Sequence, residues 1–213
     1  MSITNYSDAV DYLNTLFDLV NQALFESALS KPTITIQSTP RAYGHFTPRN
    51  DAWISTAQGG TPEINIGAGT LDRPIAMIVE TLLHEMVHYY NYLNGIQDCS
   101  RNNSYHNKRF KVAAEEHGLV VSYSKGYGWA HTEPGPKLLT FLRTHPLAEI
   151  QIYRNERRPD KDTDFGNQES VVDHSSTRKY CCPGCGMSVR ATKNVNIACI
   201  DCGKQLVLAP RRS

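Results

Sequence analysis

His84-Glu85-Met86-Val87-His88 lies inside an apolar run that includes Ile75, Ile78, Val79, Leu82, Leu83, Met86 and Val87. These positions recur with helical period. The spacing predicts a helix that opens near Leu71-Asp72-Arg73-Pro74, with Asp72 or Arg73 at the cap and Pro74 in the first turn, and closes at Asn94-Gly95. Residues four apart share a helix face, so both imidazoles can reach one metal ion. Glu85 sits about 100° further round, where it can meet a water at that metal rather than join as a ligand. Zinc lowers the pKa of water towards neutrality, and a neighbouring carboxylate can take the proton and pass it to a leaving amine. Two histidines and a glutamate on a helix this apolar also need buried partners, which a metal supplies.

A catalytic zinc takes three protein ligands and keeps one position open. The downstream candidates are His106, Glu115, Glu116, His117 and His131. His106 is favoured, because the connection from Gly95 to Asn103 can fold back and bring it in at the start of the next helix. Glu115 or Glu116 stays open on spacing alone. His117, His131 and the strand residue His45 read as packing or surface histidines.

Outward from the motif, residues 7–25 place Val10, Leu13, Leu16, Phe17, Val20, Leu24 and Phe25 at helical spacing. Strands are expected at Thr33–Gln37, Arg41–Phe46 and Glu63–Ile66, each bounded by Pro, Gly or Asn. A third helix is expected over Ser104–His117, then a strand over Leu119–Tyr123 and a Gly/Pro-rich loop over Gly126–Pro136. A short helix over Lys137–Arg143 and a strand near Ile150–Tyr153 follow. Residues 154–178 are charged and poor in apolar side chains, as linkers are. The expected organisation is α+β: a first domain over 1–153, a linker over 154–178, and a small unit over 179–210.

That last unit holds Cys182-Pro-Gly-Cys185-Gly and Cys199-Ile-Asp-Cys202-Gly, two matching knuckles. Four thiolates converging from two tight turns suit one tetrahedral zinc, and the glycine after each second cysteine permits the left-handed turn. The matching glycines put Cys182, not Cys181, in the first knuckle. From His174 to Ser213 there are seven basic residues against Asp201 alone, a net charge of +6. The rest of the chain then carries −5 of a total of +1. Arg178, Lys179, Arg190, Lys193 and Lys204 are the candidate nucleic-acid contacts. Thiolates that hold metal need a reducing compartment, so the expected location is cytoplasmic, or nuclear if the source is a eukaryote. No apolar run approaches the roughly 18 residues that cross a bilayer, and no secretory signal is visible at the amino terminus.

The chain resembles the SprT-like metalloproteases, the group that includes the Spartan proteases. The resemblance rests on Ala23-Leu-Phe-Glu26 to Leu29-Ser-Lys-Pro32, Ala42-Tyr-Gly-His-Phe46, His84-Glu-Met-Val-His88, Tyr105-His-Asn-Lys-Arg-Phe110, Tyr127-Gly-Trp129, and the closing cysteine unit with Val189-Arg-Ala-Thr192. It implies a minimal zincin-like domain followed by a four-cysteine zinc ribbon. It further implies one catalytic zinc on His84, His88 and His106, Glu85 as catalytic base, and one structural zinc on the cysteines. Its expected targets are proteins bound or crosslinked to DNA, with single-stranded or crosslinked DNA as partner. Tyr105-His106-Asn107 departs from the Gly-His-Gly of eukaryotic members, which makes a bacterial or phage branch the nearer match. Two other readings remain: a nucleic-acid-binding protein on a non-catalytic zincin scaffold, and a protease with no tie to DNA.

Overall fold

The computed structural model describes residues 2–39, 42–57, 59–101, 104–156 and 178–209. Among the described residues helix and strand take similar shares, 33% and 30%, so the fold is mixed. The chain forms two compact units, Met1–Asn167 and Gln168–Ser213. Among the described residues no helix is long and apolar enough to cross a membrane.

The first unit begins with a two-residue strand β1 (Ser2–Ile3) and helix α1 (Tyr6–Phe25). The side chain of Asn5 caps α1 by accepting the backbone N–H of Asp8 at 2.9 Å. Ala9, Leu13, Leu16, Phe17, Val20 and Phe25 form its buried stripe. Strand β2 (Thr33–Gln37) buries Ile34 and Ile36 and turns its threonines the other way. Strands β3 (Gly44–Thr47), β4 (Trp53–Ser55), β5 (Gly59–Thr61) and β6 (Glu63–Gly67) follow. β6 is central, parallel to β2 and antiparallel to β3, and so reads as a nearly unbroken buried run. β4 and β5 pair as a hairpin that the sequence reading missed.

Helix α2 (Ile75–Leu93) follows Pro74 at its N-cap, and its first N–H, that of Ile75, donates to the Glu149 carboxylate at 2.9 Å, which corrects the assignment of the cap to Asp72 or Arg73. It packs on β3 and β6 and carries Ile78, Val79, Leu82, Leu83, Met86 and Val87 into the core. Next come β7 (Cys99–Ser100), β8 (Tyr105–His106), α3 (Lys108–Glu116), β9 (Leu119–Ser124), β10 (Gly128–Pro134), α4 (Pro136–Thr144) and β11 (Glu149–Ile150). β7, β8, β10 and β9 form one sheet in that order, and β1 pairs with β11.

Two expectations change here. Helix α3 begins at Lys108 because the side chain of Asn107 caps it, accepting the N–H of Arg109 at 2.7 Å. Tyr105 and His106 therefore lie in a strand, not at a helix start. The Gly/Pro-rich stretch at 126–136 is also mostly strand β10, held against β9 on one side and β8 on the other. Within the proposed linker, Arg154 N–H donates to the Ala68 carbonyl and Ser38 Oγ donates to Glu156; positions 157–177 lie outside the described residues.

The second unit holds β12 (Arg178–Cys181), β13 (Ser188–Ala191), β14 (Ala198–Cys199), β15 (Lys204–Gln205) and β16 (Val207–Leu208). Strands β13, β12 and β16 form one sheet, and β14 with β15 a second. Tyr180, Cys182, Cys199 and Leu206 make its small core.

Candidate metal centres

His84 and His88 stand one turn apart on α2, and β8 brings His106 across to them. The three Nε2 atoms lie 3.2 Å (His84–His106), 3.3 Å (His84–His88) and 3.0 Å (His88–His106) apart. Zinc–nitrogen bonds of about 2.0–2.1 Å at tetrahedral angles place ligand nitrogens about 3.3 Å from one another. The triad therefore has the spacing of three ligands around one ion. Three nitrogens in mutual contact cannot all be satisfied by one shared proton, whereas a cation satisfies them together. The donor set fits zinc.

Phe110, fully buried, backs all three rings, with centroids 4.5–4.7 Å away. The hairpin of β7 and β8 supplies more than His106. Asp98, just before β7, accepts from His88 Nδ1 at 2.7 Å and from Asn91 Nδ2 at 2.9 Å. A carboxylate on the far nitrogen fixes the ring and raises its basicity as a ligand. Cys99 Sγ is 4.0 Å from the same Nδ1. His88, Asp98 and Cys99 form another grouping of possible ligand atoms; it shares His88 with the triad and uses the nitrogen already turned to Asp98.

Charge is divided unevenly over the rings. Burial lowers His88, but Asp98, Cys99 and Glu85 outweigh it and carry the pKa up to about 10. Burial and the neighbouring His88 push His106 down to about 3 and hold His84 well below its ordinary value. Glu85, 7% exposed on the adjoining face of α2, is raised by burial to about 7; His88 and the Phe46 backbone act in the opposite direction. A carboxyl poised near neutrality suits proton transfer.

The other candidates lie elsewhere. His117 Nδ1 donates to the Leu24 carbonyl at 2.7 Å and its ring stacks on Phe25. Glu115 faces Lys111 in the open, and Glu116 is exposed. His131 is exposed and 3.6 Å from Glu133, and His45 lies beside Asn65 on β3. Sequence reasoning missed Asp98, Thr132 and Glu80. Thr132 Oγ1 is 3.3 Å from His84 Nδ1, and it donates to Glu80 Oε1 at 2.5 Å. No local pattern marks Thr132, which is 48 residues from His84. Asp98 carries the weak signal of a carboxylate one short loop beyond a histidine.

In the second unit Cys182, Cys185, Cys199 and Cys202 bring their sulfurs together within 4.8 Å. Cys185 and Cys199 are 3.7 Å apart, near the roughly 3.8 Å expected between tetrahedral thiolates with zinc–sulfur bonds of about 2.3 Å. Gly184 N–H donates to Cys182 Sγ at 3.3 Å. Backbone N–H groups of Cys185 and Gly184 bring the Cys182 thiol down to about 7, while contact with Cys185 and Cys199 pushes Cys202 up to about 12. One thiol ionises readily and its neighbours then resist, which a dication would relieve. Gly186 and Gly203, each following a second cysteine, both have positive φ, as the repeat predicted.

Of the basic residues, Lys179, Arg190, Lys193 and Lys204 are exposed. Lys179 and Arg190 sit opposite one another across β12 and β13, on one face. Arg178 is half-buried and its guanidinium donates to the Thr192 carbonyl at 3.0 Å. It is a poorer candidate for contact than the other four.

A histidine triad beside a buried glutamate, on a mixed fold, is an arrangement that could hold a metal ion. The SprT-like family model matches residues 13–126, more than half of the chain, and the protein belongs to that family. The match includes α2 and His106 and ends before β10 and the cysteine unit. No curated protein and no solved structure matches the chain.

Proposed function

We propose that the protein is a zinc-dependent metalloprotease of minimal zincin type, with His84, His88 and His106 as ligands and Glu85 as general base. The observation that carries this is the 3.0–3.3 Å convergence of three Nε2 atoms beside the buried Glu85 carboxylate. When bound, zinc supplies a Lewis acid that makes water acidic and polarises a peptide carbonyl. Glu85 accepts the proton from the attacking water and delivers it to the amine nitrogen as the C–N bond breaks. Asp98 keeps His88 turned with Nε2 inwards, and Phe110 excludes water from behind the rings. A second zinc on the four cysteines holds the small unit together, giving two ions per chain. Thiolate ligation fits a reducing compartment, hence the cytoplasm.

The basic unit directs the protease to DNA. Supporting this are its net charge of +6 and the exposed Lys179, Arg190, Lys193 and Lys204. The substrates are then proteins bound or crosslinked to DNA. The test incubates the wild type and Glu85→Gln with a DNA-binding protein, with and without single-stranded DNA. Cleavage by the wild type alone, stimulated by DNA, is expected. Failure to cleave in every condition would point to a nucleic-acid-binding protein on a silent scaffold. Cleavage indifferent to DNA would leave a protease and remove the DNA assignment.

A further inference from the structure

Thr132 is no ligand candidate, yet it sits between two charged or ligating groups. Its Oγ1 faces His84 Nδ1 at 3.3 Å and donates to Glu80 Oε1 at 2.5 Å. A hydroxyl has one proton, and an ionised carboxylate only accepts. The Thr132 proton is thus committed to Glu80, and an oxygen lone pair is left facing the imidazole. His84 must then carry its proton on Nδ1, which leaves Nε2 bare. Nε2 is the atom that meets His88 and His106.

We propose that Glu80 and Thr132 form a relay that sets the tautomer of His84, making Thr132 a positioning residue of the metal centre. This rests on reading the triad as a zinc site. Local structure supports the relay on both sides. The pairing of β10 with β9 shifts register between Gly128 and His131, and such bulges re-aim side chains next to sites. Beyond the shift, His131 points to solvent and Thr132 to α2. Glu80 lies one turn before His84 on α2, so two rigid elements hold the relay. Arg73 provides the counter-charge. It is buried, bonded to the Thr70 carbonyl at 3.0 Å and Thr81 Oγ1 at 3.1 Å, and stacked 4.0 Å from the Tyr43 ring. Burial holds the Glu80 carboxyl above its ordinary value, and the Thr132 hydrogen bond and Arg73 offset part of that rise.

The direction of the relay is its function. An amide in place of Glu80 can donate to Thr132, which can then donate to His84 Nδ1. The imidazole proton moves to Nε2, and that nitrogen can no longer bind metal. Asp98 does for His88 directly what Glu80 does for His84 through a hydroxyl.

The test measures metal affinity in the full chain by chelator competition, with cobalt spectra separating the histidine site from the cysteine site. Thr132→Val and Glu80→Gln should each weaken the histidine site about 10- to 100-fold, the usual effect of losing such a partner. Thr132→Ser keeps the hydroxyl and should bind as the wild type does. The Thr132→Val/Glu80→Gln double variant should be no weaker than Thr132→Val, because both break one chain. Wild-type affinity in Thr132→Val, or equal loss in Thr132→Ser, overturns the relay while leaving the triad intact. A wild type that takes metal only at its cysteines removes the triad reading and the relay with it. Should Thr132→Val fail to fold, Glu80→Gln gives the same discrimination.

Discussion

Gly128→Ala should detach the third imidazole without replacing any ligand. Gly128 pairs with His106 across β10 and β8 at a φ of +70°. A Cβ built there would stand 2.1 Å from the His106 carbonyl oxygen and 2.9 Å from the Tyr105 ring, where ordinary contact begins at 3.4 Å. The Tyr105 ring can swing away, but the carbonyl is backbone. Relief requires β8 and β10 to part by about 1.3 Å, far beyond the roughly 0.2 Å tolerance of a metal–ligand bond. Left-handed φ adds about 1–2 kcal/mol for a residue with a Cβ. The expected result is a histidine site weakened about 100-fold or more, worth about 2.8 kcal/mol, with the cysteine site unchanged. The assay is zinc titration against a calibrated chelator, alongside urea unfolding of the metal-free protein. Wild-type affinity at the histidine site in a folded Gly128→Ala variant would refute the reasoning, since β8 could then yield without moving His106.

Further outcomes follow from the same contacts. Asp98→Asn removes the carboxylate from His88 Nδ1 and should cost about 10- to 100-fold in zinc affinity, read by the same titration. Cys199→Ser should lower the bound zinc by one ion, measured by elemental analysis, and leave metal at the histidines. Glu85→Gln should keep both ions and lose about 10²-fold or more in turnover. His117 gives a pH effect. Burial lowers its pKa below 6.5, so the folded state favours the neutral ring. Its contribution is full above pH 6.5 and is lost as pH falls through the folded value, because the unfolded chain takes up the proton first. Urea unfolding between about pH 7 and 5 should show a shallower loss in His117→Gln than in wild type, and equal slopes would contradict a buried neutral ring.

The sequence by itself determined what rests on local period. Apolar spacing marked α1 and α2 nearly to their ends and put His84 and His88 on one face with Glu85 beside them. Two Cys-x-x-Cys-Gly repeats marked the knuckles, because chelation by one turn is a short-range property. Its choice of His106 rested on a foldable connection and on resemblance, and it placed the residue in a helix that starts two residues later. Composition misled at 126–136, where Gly128 and Pro134 read as loop. Gly128 is there because β10 presses on the His106 carbonyl, a neighbour 22 positions away. Tertiary structure alone decided the groups behind the rings. Asp98 reaches His88 through a hairpin, and Thr132 reaches His84 through a bulged strand joined to a different sheet neighbour. Such contacts leave no periodic trace, because a hydrogen bond across elements constrains one residue at each end and nothing between them.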